Sequence, residues 1–213
     1  MRSFPLVLIA ASLAGCNTAP PPPTAQSVLD GMTSTTFDTY QDGFDAAIAL
    51  NDRIDASLNT NGLAQKADLP TSGVAGYEGF MRIEELNNAA NSASGQLLLA
   101  VDFGAPAGEV VAGRGFNFYD SVLNPVAGDV TFSAGSFIPL QTVIPSGTLY
   151  GEGVRASYVG ALTSSTNVES TVSGTAYFGF TNGTNFINGS LEGISVINGV
   201  NYDTTGSMIG EKQ

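Results

Sequence analysis

Few side chains in this sequence are equipped for chemistry. Histidine is absent and cysteine occurs once. The usual general base and the commonest metal ligand are therefore missing, and no internal disulfide can form. What remains is a set of isolated charges. Asp102 ends an apolar run, Leu97-Leu-Leu-Ala-Val-Asp102, where a buried carboxylate needs a partner. Beside Gly104 it is expected to cap a turn. Arg82, Arg114 and Arg155 fall on predicted strands. They are expected to pair with Asp102, Glu78 or Glu152 across strands, or else to line a lumen and hold an anion. Asp203-Thr204-Thr205-Gly206 has the wrong spacing for an Asp-Thr-Gly catalytic loop, and no second copy exists. Ser57-Leu-Asn59-Thr-Asn61-Gly62 with Asp68 has the spacing of a calcium loop. It lacks the leading Asp and the closing Glu, and Lys66 stands inside it. No catalytic residue, no metal and no cofactor is expected.

The one cysteine differs because of what precedes it. Met1-Arg2-Ser3 is a short positive start, and Phe4 to Leu13 is an apolar run too short to span a bilayer as a stable helix. Leu13-Ala14-Gly15-Cys16 then resembles the lipobox of bacterial lipoproteins at all four positions. The resemblance implies a signal peptide over 1–15 and cleavage before Cys16. It also implies a diacylglyceryl thioether on the sulfur and an acyl chain such as palmitate on the new amine. Buried acyl chains contribute about 0.8 kcal/mol per CH2, so several chains anchor firmly. In the enterobacterial pattern an Asp after the cysteine holds a lipoprotein at the inner membrane. Asn17 stands there instead, which implies a lipid anchor in the outer membrane. Residues 16–35 read as a tether. Its prolines Pro20 to Pro23 extend at about 3.1 Å per residue.

The elements that must position any site follow. After Cys16 there are 6 basic and 19 acidic residues. Nucleic acid is excluded as a partner, since phosphate neutralisation needs Lys and Arg. Residues 36–68 form a helical or irregular preface. Phe37, Tyr40, Phe44, Ile48 and Leu50 recur at helical spacing. They predict one amphipathic helix within 40–58, capped by Thr36 or Asp42 and stopped by Asn61-Gly62. Its expected place is against the sheet or plugging one barrel end.

From residue 69 to 213 the pattern is strand and turn, with 26 Gly, 12 Phe and 7 Tyr in the whole chain. In the hairpin Gly95 to Phe118, Leu97, Leu99 and Val101 share one face and Leu98, Ala100 and Asp102 the other. Ala105 to Gly108 is the turn. Val111, Gly113, Gly115 and Asn117 then alternate with Ala112, Arg114, Phe116 and Phe118. Further strands are predicted from 73 to 83, 129 to 134, 137 to 144, 148 to 159, 172 to 180, 186 to 196 and 200 to 208. Asn87 to Ser94 and Thr163 to Glu169 read as polar loops. Asn-Gly pairs at 182 and 188 lie six residues apart; both cannot flank full strands, so one is expected to be a bulge. The fold class is all-β: a small antiparallel up-and-down β-barrel of about eight strands, behind a short helix and a Pro-rich tether. Asn117, Asp129, Thr131, Glu152 and Ser157 interrupt any lipid-facing band, so the barrel is not expected to span the membrane.

Pro70-Thr-Ser-Gly73-x-Ala75-x-Tyr77-x-Gly79, Leu99-Ala-Val-Asp102-Phe103-Gly104, the Gly113 strand and Ser173-Gly174-x-Ala-x-Phe178-Gly179 together resemble the β-barrel domain of transferrin-binding-protein-B-like surface lipoproteins. The resemblance covers about residues 70–195 and implies a barrel displayed from the outer membrane. The transferrin-contacting lobe has no counterpart here. The expected function is non-catalytic: binding of a protein or glycan through the polar loops, or envelope architecture. The alternative is a lipocalin-like carrier of a small ligand in the lumen, with Ala100 among the positions expected to face it.

Overall fold

A computed structural model describes residues 21–85, 88–144 and 147–213. Eight antiparallel strands close into one barrel in sequence order. They are β1 Val74–Glu85, β2 Asn88–Asp102, β3 Val111–Asp120, β4 Pro125–Ile144, β5 Gly147–Thr163, β6 Glu169–Thr181, β7 Phe186–Ile197 and β8 Val200–Lys212. The seam runs from Tyr77 opposite Lys212 to Glu85 opposite Thr204, which gives the edge strands partners. Helices α1 Ala25–Gly31 and α2 Tyr40–Asn61 precede the sheet.

Side-chain alternation makes the inner wall apolar, as the sequence pattern predicts. Tyr77, Met81, Leu97, Leu99, Phe132, Phe178, Phe180, Leu191 and Met208 are all essentially buried and belong to one core. Glycines let the larger groups fit. A Cβ on Gly193 would lie 2.5 Å from the Tyr158 hydroxyl, and one on Gly174 2.8 Å from it. The lumen is a packed core, as small barrels tend to be.

The barrel has two unlike ends. One carries the β2–β3 turn, the β4–β5 hairpin and the β6–β7 turn, and the other the β1–β2, β3–β4, β5–β6 and β7–β8 connections. We call these the ribbon end and the loop end. Six residue pairs of β4 and β5, Pro139–Glu152 to Ile144–Gly147, extend past Gly153, the last β5 residue that also pairs with β6. At about 3.3 Å per residue this two-stranded ribbon reaches about 20 Å.

Several expectations are corrected. The stretches 129–134 and 137–144 are one strand, β4. A bulge at Ala134 (φ 64°) and Gly135 (φ 109°) absorbs the extra residues while pairing with β5 continues. Of the expected Asn87–Ser94 loop, Asn87 lies outside the described residues and 88–94 belong to β2, with Ser92 opposite Glu84 and Ser94 opposite Arg82. Backbone pairing to β1 satisfies that segment whatever its side-chain polarity. Asn182-Gly183 is a turn, but Asn188-Gly189 is neither turn nor bulge; it lies in unbroken register with β6. In β3 a register shift between Gly115 and Phe118, with Asn117 at φ 51°, breaks the alternation and sends Phe118 into the lumen. Ala100 faces outward, packed with Ala112 against Ala25 of α1. The tether thus contains a short docked helix. Cys16, Asn17 and the signal peptide lie outside the described residues.

Candidate functional site

The chain before β1 straps the outside of the barrel. From α1 it runs to Thr35, whose N–H donates to the Glu78 carboxylate and whose carbonyl accepts from Gln96 Nε2 at 2.8 Å. Phe37 meets Phe80 with ring centroids 5.8 Å apart. α2 then opens at Thr39, whose hydroxyl accepts from the Asp42 N–H at 3.2 Å, while the Asp42 carboxylate accepts from the Thr39 N–H at 3.1 Å. This capping box starts the helix at Tyr40, leaves Phe37 outside it, and uses Asp42 as the partner of Thr39 rather than as the cap; Thr36 is not the cap either. α2 starts at the loop end, with Tyr40 edge-on to Tyr119. It finishes at the ribbon end, where Ser57 and Thr181 share a hydrogen bond of 2.9 Å. The helix lies along the outer wall because the filled lumen leaves it no room inside.

Only the second half of α2 is seated. Leu50, Ile54 and Leu58 are buried with Leu63 against Phe80, Phe186, Ile209 and Leu149. The first half offers Tyr40 and Phe44, stacked with ring centroids 6.0 Å apart, and Phe44 and Ile48 are both nearly half exposed. Between this half and the wall lies a groove of about 330 Å³. Its apolar side chains include Phe37, Tyr40, Phe44, Phe80, Tyr119 and Ile209, and its polar ones include Arg82, Ser94, Gln96, Asn117, Asn188 and Ser207. Gln96 is tied down, accepting from Asn117 Nδ2 at 2.7 Å and donating to Thr35. Arg82 pairs with Glu84, two residues along its own strand, at 2.7 Å. Aromatic faces beside amide and hydroxyl groups, with the one cation already neutralised, suit an uncharged polyhydroxylated or amide-bearing ligand.

The other singled-out residues scatter. Asp102 accepts from the Gly104 N–H at 2.9 Å, the expected turn cap. Arg114 lies over the Phe116 ring at 4.9 Å and Arg155 is exposed. The expected pairing of the arginines with Asp102, Glu78 or Glu152 is not formed: Arg82 finds Glu84 on its own face, Arg114 lies opposite Leu98 and Thr131, and Arg155 lies opposite Ser136 and Tyr177. Asp203 and Thr204 point to opposite faces of β8, Asp203 exposed and Thr204 buried. Asp68 accepts from the Gln65 N–H at 3.0 Å. Thr163 and Glu169 end strands around a turn at 164–168, closed by Ser164 accepting from the Val168 N–H at 3.1 Å.

Two features were missed from sequence. At the loop end the lumen holds a polar layer, with Glu85, Ser195 and Thr204 buried and Ser195 Oγ donating to Glu85 Oε1 at 3.1 Å. The Tyr158 hydroxyl faces Thr204 without closing a regular hydrogen bond, and burial raises its pKa. The second is the groove itself. Tyr40 and Phe44, one turn apart at the front of the predicted helix, were its sequence signal.

No protein-family model matches this chain, and no curated protein or solved structure matches it.

Proposed function

We propose that this chain is a lipid-anchored outer-membrane lipoprotein whose barrel is a non-catalytic scaffold, and that it binds an uncharged glycan chain in the groove between α2 and the outer wall. One observation carries the reading. The lumen is filled with buried side chains, while the open, aromatic- and amide-lined volume lies outside the wall. That favours the groove over a lipocalin-like lumen, and over the short turns at the loop end. The match at Leu13 to Cys16 supports the anchor, and the glycine-spaced strand patterns that resemble surface lipoproteins agree with it. Outward-facing charges on several strands, among them Arg114, Arg155 and Glu192, support a barrel held outside the hydrocarbon rather than one spanning it.

The test exploits the absence of tryptophan from the chain. With Phe44→Trp, a single indole reports on the groove. Soluble cello-, chito- and malto-oligosaccharides are titrated against it, with Tyr202→Trp as the reference. A saturable emission change at position 44, weakened by Asn188→Ala, is expected for at least one series. No response to any of them, or an equal response at position 202, refutes the groove as a glycan site. Cys16→Ser checks the anchor separately and is expected to abolish fatty-acid labelling and membrane association.

A further inference from the structure

The ribbon end combines three features. The chain enters the fold there. α1 packs against Val74, Ala100 and Ala112, each within the last three residues of its strand at that end. Ala25 is only 3% exposed, so the chain is held from that residue on. Eight residues, Asn17 to Thr24, separate this point from Cys16. Fully extended they span at most about 29 Å. An acyl anchor on Cys16 therefore confines the ribbon end to within about 29 Å of the bilayer surface, and the outer three pairs of the ribbon, Thr142–Leu149 to Ile144–Gly147, project about 10 Å past the Ala64–Gln65 segment that pairs with its base.

The second feature is the ribbon's chemistry. No charged residue occurs from Val130 to Gly151, although the chain is strongly acidic. Tyr150, opposite Gln141, keeps its ring outward and is 66% exposed, while its carbonyl accepts from Gln65 Nε2 at 2.7 Å. A tyrosine ring with an apolar body and a polar tip suits the headgroup level of a bilayer. The third feature is the distribution of lysine. The chain has two, Lys66 and Lys212. Both are exposed, one on the segment that crosses the ribbon end and one at the end of β8 beside the β6–β7 turn. Long lysine stems can lie along a membrane while their ammonium groups reach phosphate. Asp68 and Glu109 share this end, so the surface is not basic overall and its contact with lipid is apolar rather than electrostatic.

We propose that the ribbon end rests on a phospholipid surface, with the β4–β5 ribbon as a second membrane contact beside the lipid anchor and the loop end pointing away. This rests on lipidation at Cys16, and the test separates the two. The full-length lipidated protein carrying Tyr150→Trp is reconstituted into phosphatidylcholine vesicles with and without brominated acyl chains. Tyr202→Trp, 40% exposed at the loop end, is the reference. Circular dichroism checks that each variant keeps its β spectrum. The expected result is at least about twofold quenching by brominated lipid at position 150 and none at position 202, unchanged when anionic lipid is added. Protein that floats with the vesicles but shows no quenching at position 150, or equal quenching at both positions, overturns the orientation and leaves the anchor standing. Protein that does not float overturns both.

Discussion

The two faces of β1 live in different worlds. Inward, Tyr77, Met81 and Ile83 enter a closed volume whose side chains come mostly from the other strands. Outward, Phe80 and Arg82 face a groove that a single helix covers over only half its length. Closure explains the inner face. Once the sheet meets itself, its interior has a set volume, and glycines must stand opposite aromatics for the side chains to fit. The outer face carries no such requirement. It is covered where α2 has apolar residues to bury, at Leu50, Ile54 and Leu58, and stays open where α2 presents Tyr40, Phe44 and the small Gly43 and Ala47. Stability lies on one side of the wall, and room for a ligand on the other.

The contrast can be broken most directly by emptying the inside. Phe178 is fully buried and stacks edge-on against Phe180, with centroids 6.0 Å apart. Phe178→Ala is expected to cost about 3–5 kcal/mol through lost burial and a residual cavity, read as a lower denaturant midpoint. A loss below about 1 kcal/mol would mean that the lumen is loosely packed.

A second test uses pH. The Tyr77 hydroxyl donates to the Thr184 carbonyl at 2.9 Å, yet burial pushes its pKa well above the ordinary 10.0. Burial raises Tyr158 as well. The folded state thus favours the neutral phenols. Their contribution is complete below pH 10.0, the ordinary value, and is lost as pH rises through the raised folded-state values. The denaturant midpoint should fall above that pH. In an absorbance titration at alkaline pH, Tyr77 and Tyr158 should ionise only as the protein unfolds. If Tyr77 and Tyr158 instead ionised near the ordinary 10.0 without loss of stability, the lumen would have to be wet.

The smallest effect belongs to the outside. Phe44 is 46% exposed, so Phe44→Ala should change stability by no more than about 0.5 kcal/mol. The same change should abolish any oligosaccharide binding at the groove. A large loss of stability would mean that the first half of α2 is as firmly seated as the second.

Reading residues in order recovered what depends on near neighbours. Alternation in Leu97, Leu99 and Val101 marked the inner face, the turn at Ala105 to Gly108 ended the strand, and Asn61-Gly62 stopped α2. Asp102 was legible as a turn cap because its partner, Gly104, is two residues away. Each of these is settled by backbone geometry within a few positions. Three assignments needed the closed barrel. The shift at Asn117 swaps which side of β3 faces inward, so Phe118 joins the core only once β2 and β4 pair with it on either side. Ala100 faces a helix more than sixty residues earlier in the chain. The groove exists because Phe80, Gln96, Tyr119 and Ile209, from four strands, converge beneath a helix that touches only part of them. The sequence by itself determined the periodicity of each strand, the caps and turns, and the single cysteine in its lipobox-like setting. Which face of the wall is solid and which is open was decided only by tertiary structure. A side chain's direction is local, but the space it points into is set by strands and helices far away in sequence.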